Sequence, residues 1–194
     1  GGSRVTSTKP IAITLADDLV TSPGYDCADL IGDQTIPTNI IGTEYVATKG
    51  YLLGTQEKIY ITAISNGTTV SQDGIVVATL NAGQSFQATL SNASTYIVAS
   101  NPVYVYQISG IGCELGGAIL PPVKCTGSLA ATYTRSSSRA NYLNVLVRAG
   151  GESFFRVNGS SSVITATNFT PVPGSANQWL SASILLSNSI SALD

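Results

Sequence analysis

Three cysteines, a knot of aspartates and a few aromatic rings are the residues of this chain that could carry chemistry. Cys113 and Cys125 lie twelve positions apart around "ELGGAILPPVK", and Cys27 is the third thiol. Two thiolates at that spacing could hold a metal or a reactive group, or staple a loop in an oxidising compartment. A zinc site needs further nitrogen or sulfur ligands, and the chain has no histidine and no C-x2-C spacing. The missing histidine also removes Ser-His-Asp and Cys-His catalysis. Lys9, Lys49, Lys58 and Lys124 stand in no S-x-x-K setting, so little is left for an enzyme.

Asp17, Asp18, Asp26, Asp29 and Asp33 supply five of the eleven acids. Two carboxylates ~4 Å apart repel by about 4 kcal/mol at an effective dielectric of 20, so convergence calls for a cation. An all-oxygen set suits calcium. The spacing fits no EF-hand loop, and aspartate also bonds backbone at turns, which is the preferred reading of the two. "IGDQ" and "IGTEY" read as a buried polar network. Only residue identity speaks for a Cys27–Gln34 thioester or an isopeptide bond from Lys9. Tyr104 and Tyr106 share one strand face, Phe154 and Phe155 face opposite ways, and Trp179 is the single tryptophan. Exposed rings of this kind stack on sugars or anchor protein partners, although core packing is their commoner fate.

The elements that must position these residues are strands. Apolar residues alternate in "IAITL", "KIYITAI", "SFQATL", "YLNVLVR" and "QWLSASILLS", with "NG", "DG", "AG" and "PG" turns between them. That pattern predicts an all-β fold of β-sandwich type, without a long helix. The chain also echoes itself. "TSTKPIAITLADD" matches "VASNPVYVYQISG", and "GYDCADLIGDQTIP" matches "GCELGGAILPP". "GTEYVAT" is followed by "KIYITAISNG", just as "SLAATYT" is followed by "YLNVLVRAGG". "DGIVVATLNAGQSFQATL" corresponds more loosely to "NGSSSVITATNFTPVPGSANQWLSASIL". The offset drifts between about 84 and 92 residues, as related units with insertions would show. The expected organisation is an appended scar at residues 1–3, a first sandwich unit at 4–100 and a related second unit at 101–194. The N-terminal strand then stands in for the end of a preceding unit, in a piece of a longer protein.

Charged residues make up 10% of the chain, against about 25% in ordinary soluble domains, and the net charge is −2. No basic footprint for nucleic acid exists, and no run reaches the ~18–20 apolar residues of a membrane-inserted helix. Asn66, Asn92, Asn158 and Asn168 begin N-x-S/T sequons, glycan acceptors only in a eukaryotic secretory pathway.

"KPIAITLADD", "DLIGDQTIPTNIIGTEYVATKG" and "NPVYVYQISGIGCELGGAILPPVKCTGS" resemble the N-terminal domain family of IgGFc-binding proteins, over most of residues 10–159. The family occurs in an animal mucus protein and in large bacterial surface proteins, including adhesins of Bacteroidetes. The resemblance implies an extracellular, cell-surface-attached module and supplies no residue-level Fc motif; the missing histidine already speaks against an enzyme. In that setting the expected disulfide is Cys113–Cys125, worth at most roughly 3 kcal/mol, with Cys27 a buried lone thiol. The rival pairing joins Cys27 to Cys113, the equivalent cysteines of the repeat. The expected function is adhesion to a host or environmental glycan or protein, beside flanking domains of the same chain. No cofactor is expected beyond the calcium considered above. The alternatives are a spacer with no ligand of its own and, more remotely, a carbohydrate-active enzyme.

Overall fold

Residues 2–21, 26–50, 57–124, 127–133 and 141–186 are described by the computed structural model. Their regular structure is strand throughout, apart from one 3-10 turn at Ala166–Asn168. The chain divides into two compact units, Gly1–Thr126 and Gly127–Asp194. The boundary expected after Ser100 falls instead inside an 18-residue strand, because the alternation of "STYIVASNPVYVYQISGI" continues through Pro102 without a break.

Unit 1 begins with a hairpin of β1 (Thr14–Thr21) and β2 (Ala28–Gln34). The strand expected at "IAITL" starts only at Thr14, and residues 2–12 are exposed and in no strand. Next come β3 (Gly42–Thr48), β4 (Lys58–Ala63), β5 (Thr68–Gln72), β6 (Ile75–Leu80) and β7 (Ser85–Thr89). The long β8 (Ser94–Ile111) and the short β9 (Glu114–Ile119) complete the unit. Asp73 and Gly74, both at positive φ, turn β5 into β6 as a two-residue hairpin of left-handed residues requires.

β8 organises everything else. Its first half pairs β3 and β5, and its second half pairs β4 and β9. Two half-sheets result, β6-β5-β8-β3 and β7-β4-β8-β9, sharing one strand. A single core takes Tyr45, Val70 and Ile97 from the first half and Ile59, Ile61, Val103 and Val105 from the second. Strands with one face inward keep the strict alternation seen in β4, whose odd-numbered residues are all buried. The Tyr45 hydroxyl donates to Val103 O at 2.6 Å and accepts from Gly42 N at 2.9 Å, which locks β3 onto β8 where β8 passes between half-sheets.

Unit 2 is smaller. β10 (Asn141–Arg148) and β11 (Thr170–Pro171) flank the central β12 (Trp179–Leu186). Ile164, Ala182, Ile184 and Leu186 form its core, with Leu143, Val145, Phe155 and Phe169 packed around them. The Phe155 and Phe169 rings stack at 5.3 Å.

Candidate binding surface

The Cys27–Cys113 pair, Asp29, Asp33 and Tyr106 meet at one flank of unit 1, beside β9, whereas Phe154, Phe155 and Trp179 belong to unit 2. Cys27 pairs with Cys113, with Cα atoms 5.7 Å apart across a sequence separation of 86. The expected Cys113–Cys125 bond is therefore overturned, and Cys27 is not a lone thiol; Cys125 lies outside the described residues. The physical reason is that β2 runs beside β9, which brings the residue preceding β2 to the β8–β9 turn. A twelve-residue loop closes easily, but here Pro121 and Pro122 carry the chain away from that turn. Leu120 N still donates to Val105 O at 2.8 Å, and after the prolines Val123 N donates to Glu44 O at 2.9 Å. The segment is thus laid along β8 and β3 instead of folding back.

The aspartates also find a role that neither reading of the sequence named. β9 pairs with β8 along one edge, and the amides of Leu115 and Ile119 point from the other. Asp29 accepts from Leu115 N, and Asp33 Oδ2 accepts from Ile119 N at 2.7 Å. Residues 29 and 33 share one face of β2, four positions apart, as do 115 and 119 along the β9 edge. Carboxylates thereby replace a neighbouring strand as the acceptors of an edge. Asp17 is spent locally, accepting from Leu19 N at 3.2 Å, while Asp18 and Asp26 are exposed. Among the described residues no group of three His, Cys, Asp or Glu side chains is placed to hold a metal ion.

The aromatics are tied down. Tyr104 donates its hydroxyl to Ile36 O at 2.7 Å, and the Tyr106 ring lies over Gly117, where an added Cβ would come within 1.9 Å of the phenol oxygen. Burial raises both phenols above the ordinary tyrosine range, and the Asp33 charge adds to the effect at Tyr106. Trp179 is buried, with the Arg148 guanidinium 5.1 Å from its ring. Phe154, by contrast, is 82% exposed. The polar network is present and centred elsewhere than expected. The buried Glu57 carboxylate accepts from Gly50 N at 2.7 Å and from Gln107 Nε2 at 2.7 Å.

One cleft open to a ligand, of about 620 Å³, lies between the start of β3 and the double proline. Ile36, Ile40, Ile41, Ile119, Pro121 and Pro122 line it, with Asn39, Thr43, Glu44 and Lys124 as its polar residues. Its closed end depends on Gly42, where a Cβ would fall 2.5 Å from Pro122 Cβ, so only glycine admits the proline this close. Ile40 remains 52% exposed. The surface offers apolar contact with one carboxylate and one ammonium, and no nucleophile–base pair. Sequence reasoning missed it because its walls come from two stretches about 80 residues apart. The "TIPTNII" and "AILPP" runs were the visible signal, each too apolar for an ordinary loop.

A family model described as IgGFc binding protein matches residues 1–192, almost the whole chain. No curated protein and no solved structure matches it.

Proposed function

The chain belongs to the IgGFc-binding protein family, and on that premise we propose that it is an adhesion module of a large cell-surface protein, with the β3–Pro121–Pro122 cleft as its ligand-contacting surface. The ligand class is protein, not sugar. The observation that carries this is the lining of the cleft: four isoleucines and two prolines form the apolar part and no aromatic ring is among them. Sugar rings are held on aromatic platforms, and Tyr104, Tyr106 and Trp179 are all engaged elsewhere. A short apolar segment of a partner, flanked by one acidic and one basic group, matches the cleft in size and charge. The Cys27–Cys113 bond supports an oxidising, extracellular setting. Adhesion then works through many copies on one surface, each contact weak and multiplied by effective concentration.

The test is binding of the isolated module to immobilised immunoglobulin Fc, to mucin protein stripped of glycans, and to a glycan array. Retention on one of the protein surfaces, reduced at least about tenfold by Ile40→Asp, is the expected result. Retention on glycans alone, or binding that Ile40→Asp leaves unchanged, would refute the assignment.

A further inference from the structure

In unit 1, β4 has a strand on each side: β7 on one edge and β8 on the other. Unit 2 repeats half of that arrangement. β10 and β12 pair in the manner of β4 and β7, with "YLNVLVR" in the place of "KIYITAI". No described strand occupies the second edge of β10. The elements that depend on β8 in unit 1 also have no counterpart among the described residues of unit 2. β3 pairs only with β8, and its counterpart at 128–133 is not a strand. The inward residues of β4 are buried to 1% exposure or less, whereas Leu143, Val145 and Val147 of β10 are only half-buried. One absent strand of β8 type accounts for all three observations.

A strand of that type lies at the other end of the chain. Residues 6–18 echo 98–110, so that Ile11 and Ile13 correspond to Val103 and Val105, which are fully buried between half-sheets. The local bonding agrees. Thr35 N donates to Ile13 O at 2.8 Å, as Leu120 N donates to Val105 O at 2.8 Å, so Ile13 faces β2 as Val105 faces β9. Thr14 then presents its polar backbone groups to the opposite side, where Tyr106 meets β4. Yet Ile11 and Leu15 are 50% and 62% exposed, and residues 2–12 form no strand within one chain.

We infer that the open edge of β10 is the docking site for residues 9–16 of a second copy of this chain, added as an antiparallel strand. The register follows from unit 1. Tyr60 pairs with Tyr106, so Asn144 pairs with Thr14, and Ile13 and Ile11 lie opposite Val145 and Val147. Main-chain bonds hold the strand, and its alternate isoleucines cover the half-buried face of β10. The donor segment and acceptor edge are different surfaces, so the contact is head-to-tail and each copy can both give and receive. This assembly stands independently of the ligand cleft.

The experiment combines mass and cross-linking. Light scattering of the full chain should show molar mass rising with concentration beyond one copy. Deletion of residues 1–12, which keeps Ile13 and its bond to Thr35, should hold the mass at one copy. Mixing a Thr14→Cys protein with an Asn144→Cys protein, both carrying Cys125→Ser, should give a disulfide-linked dimer on mild oxidation; both altered positions are exposed, so the fold is undisturbed. A peptide of residues 9–16 should bind the truncated chain, and a scrambled peptide should not. A single-copy mass at every concentration would overturn the inference. So would a Thr14→Cys/Asn144→Cys double variant that cross-links only within one chain.

Discussion

β9 in unit 1 and β10 in unit 2 both end a sheet, and they are treated in opposite ways. β9 is sealed from within: Asp29 and Asp33 accept from its outward amides, and the Cys27–Cys113 bond fixes the hairpin that carries them. β10 has no strand and no disulfide against its second edge among the described residues. β9 is closed by its own unit, through carboxylates carried on a disulfide-fixed hairpin. The second edge of β10 has no partner strand among the described residues of its unit. Exposed edges invite pairing, so the sealed edge should be a stability feature and the open one an assembly feature.

The largest effect expected is on the sealed edge. Cys27→Ala with Cys113→Ala releases a link across 86 residues of sequence and should cost about 2–5 kcal/mol, lowering the melting temperature by roughly 10 °C. Non-reducing peptide mapping of the native protein should recover Cys27 joined to Cys113. If removing both thiols leaves the melting curve in place, the hairpin is held by other contacts and the contrast between edges loses its main support.

A smaller loss is expected from Asp29→Ala with Asp33→Ala, about 1–3 kcal/mol for two charge-assisted bonds on a partly buried edge. The informative readout is hydrogen exchange at Leu115 and Ile119, which should accelerate while their neighbours bonded to β8 stay protected. The same variant uncovers an edge, so self-association independent of residues 1–12 should appear. Unchanged exchange at those two amides would show that the carboxylates do not seal β9.

How much of this was legible beforehand depended on the range of the interaction. Strand identity is local: the alternation in "KIYITAI", "SFQATL" and "QWLSASILLS" became β4, β7 and β12 within a residue or two. "IAITL" had the same pattern and yet formed strand only from Thr14, because a strand also needs a partner on its edge. The disulfide turned on the same point. Twelve residues favoured Cys113 with Cys125, while the correct pair depended on β2 lying beside β9, which no local signal records. The internal echo did carry it, since Cys27 and Cys113 occupy matching places before β2 and β9. The acids were visible as a cluster, but their acceptors' role was not: the Asp29/Asp33 spacing has meaning only against amides with the same spacing on another strand.

Tyr45 extends the contrast between the units to pH. It anchors β3 to β8, a contact with no strand counterpart among the described residues of unit 2. Burial raises its phenol above the ordinary value near 10, partly offset by the bond from Gly42 N, with Tyr104 adding a further rise. In the unfolded chain the phenol ionises at its ordinary value, so above about pH 10 the unfolded state holds fewer protons than the folded one. The stability it contributes is whole below that pH and falls as pH rises toward the folded value, by no more than about 1.4 kcal/mol per unit for this one group. Denaturant unfolding between pH 8 and 11 should show the decline, and Tyr45→Phe should flatten part of it. An equal slope in Tyr45→Phe would assign the decline to the other raised phenols, Tyr104 and Tyr106.

The smallest effect concerns the aspartates as a cation site. Calcium prefers six to eight oxygens brought to one point. Here Asp29 and Asp33 are directed at amides four residues apart on β9, Asp17 accepts from Leu19 N, and Asp18 and Asp26 are exposed. Occupying a shared site would require two carboxylates to leave the edge they seal, so binding would work against the closure of β9. Calcium at millimolar concentration should therefore leave the melting temperature where chelator leaves it, and the Leu115 and Ile119 amides equally protected. A rise of several degrees would mean ligand linkage of about 2–3 kcal/mol. That result would move these residues from edge closure to metal binding, and β9 would then be sealed by the disulfide alone.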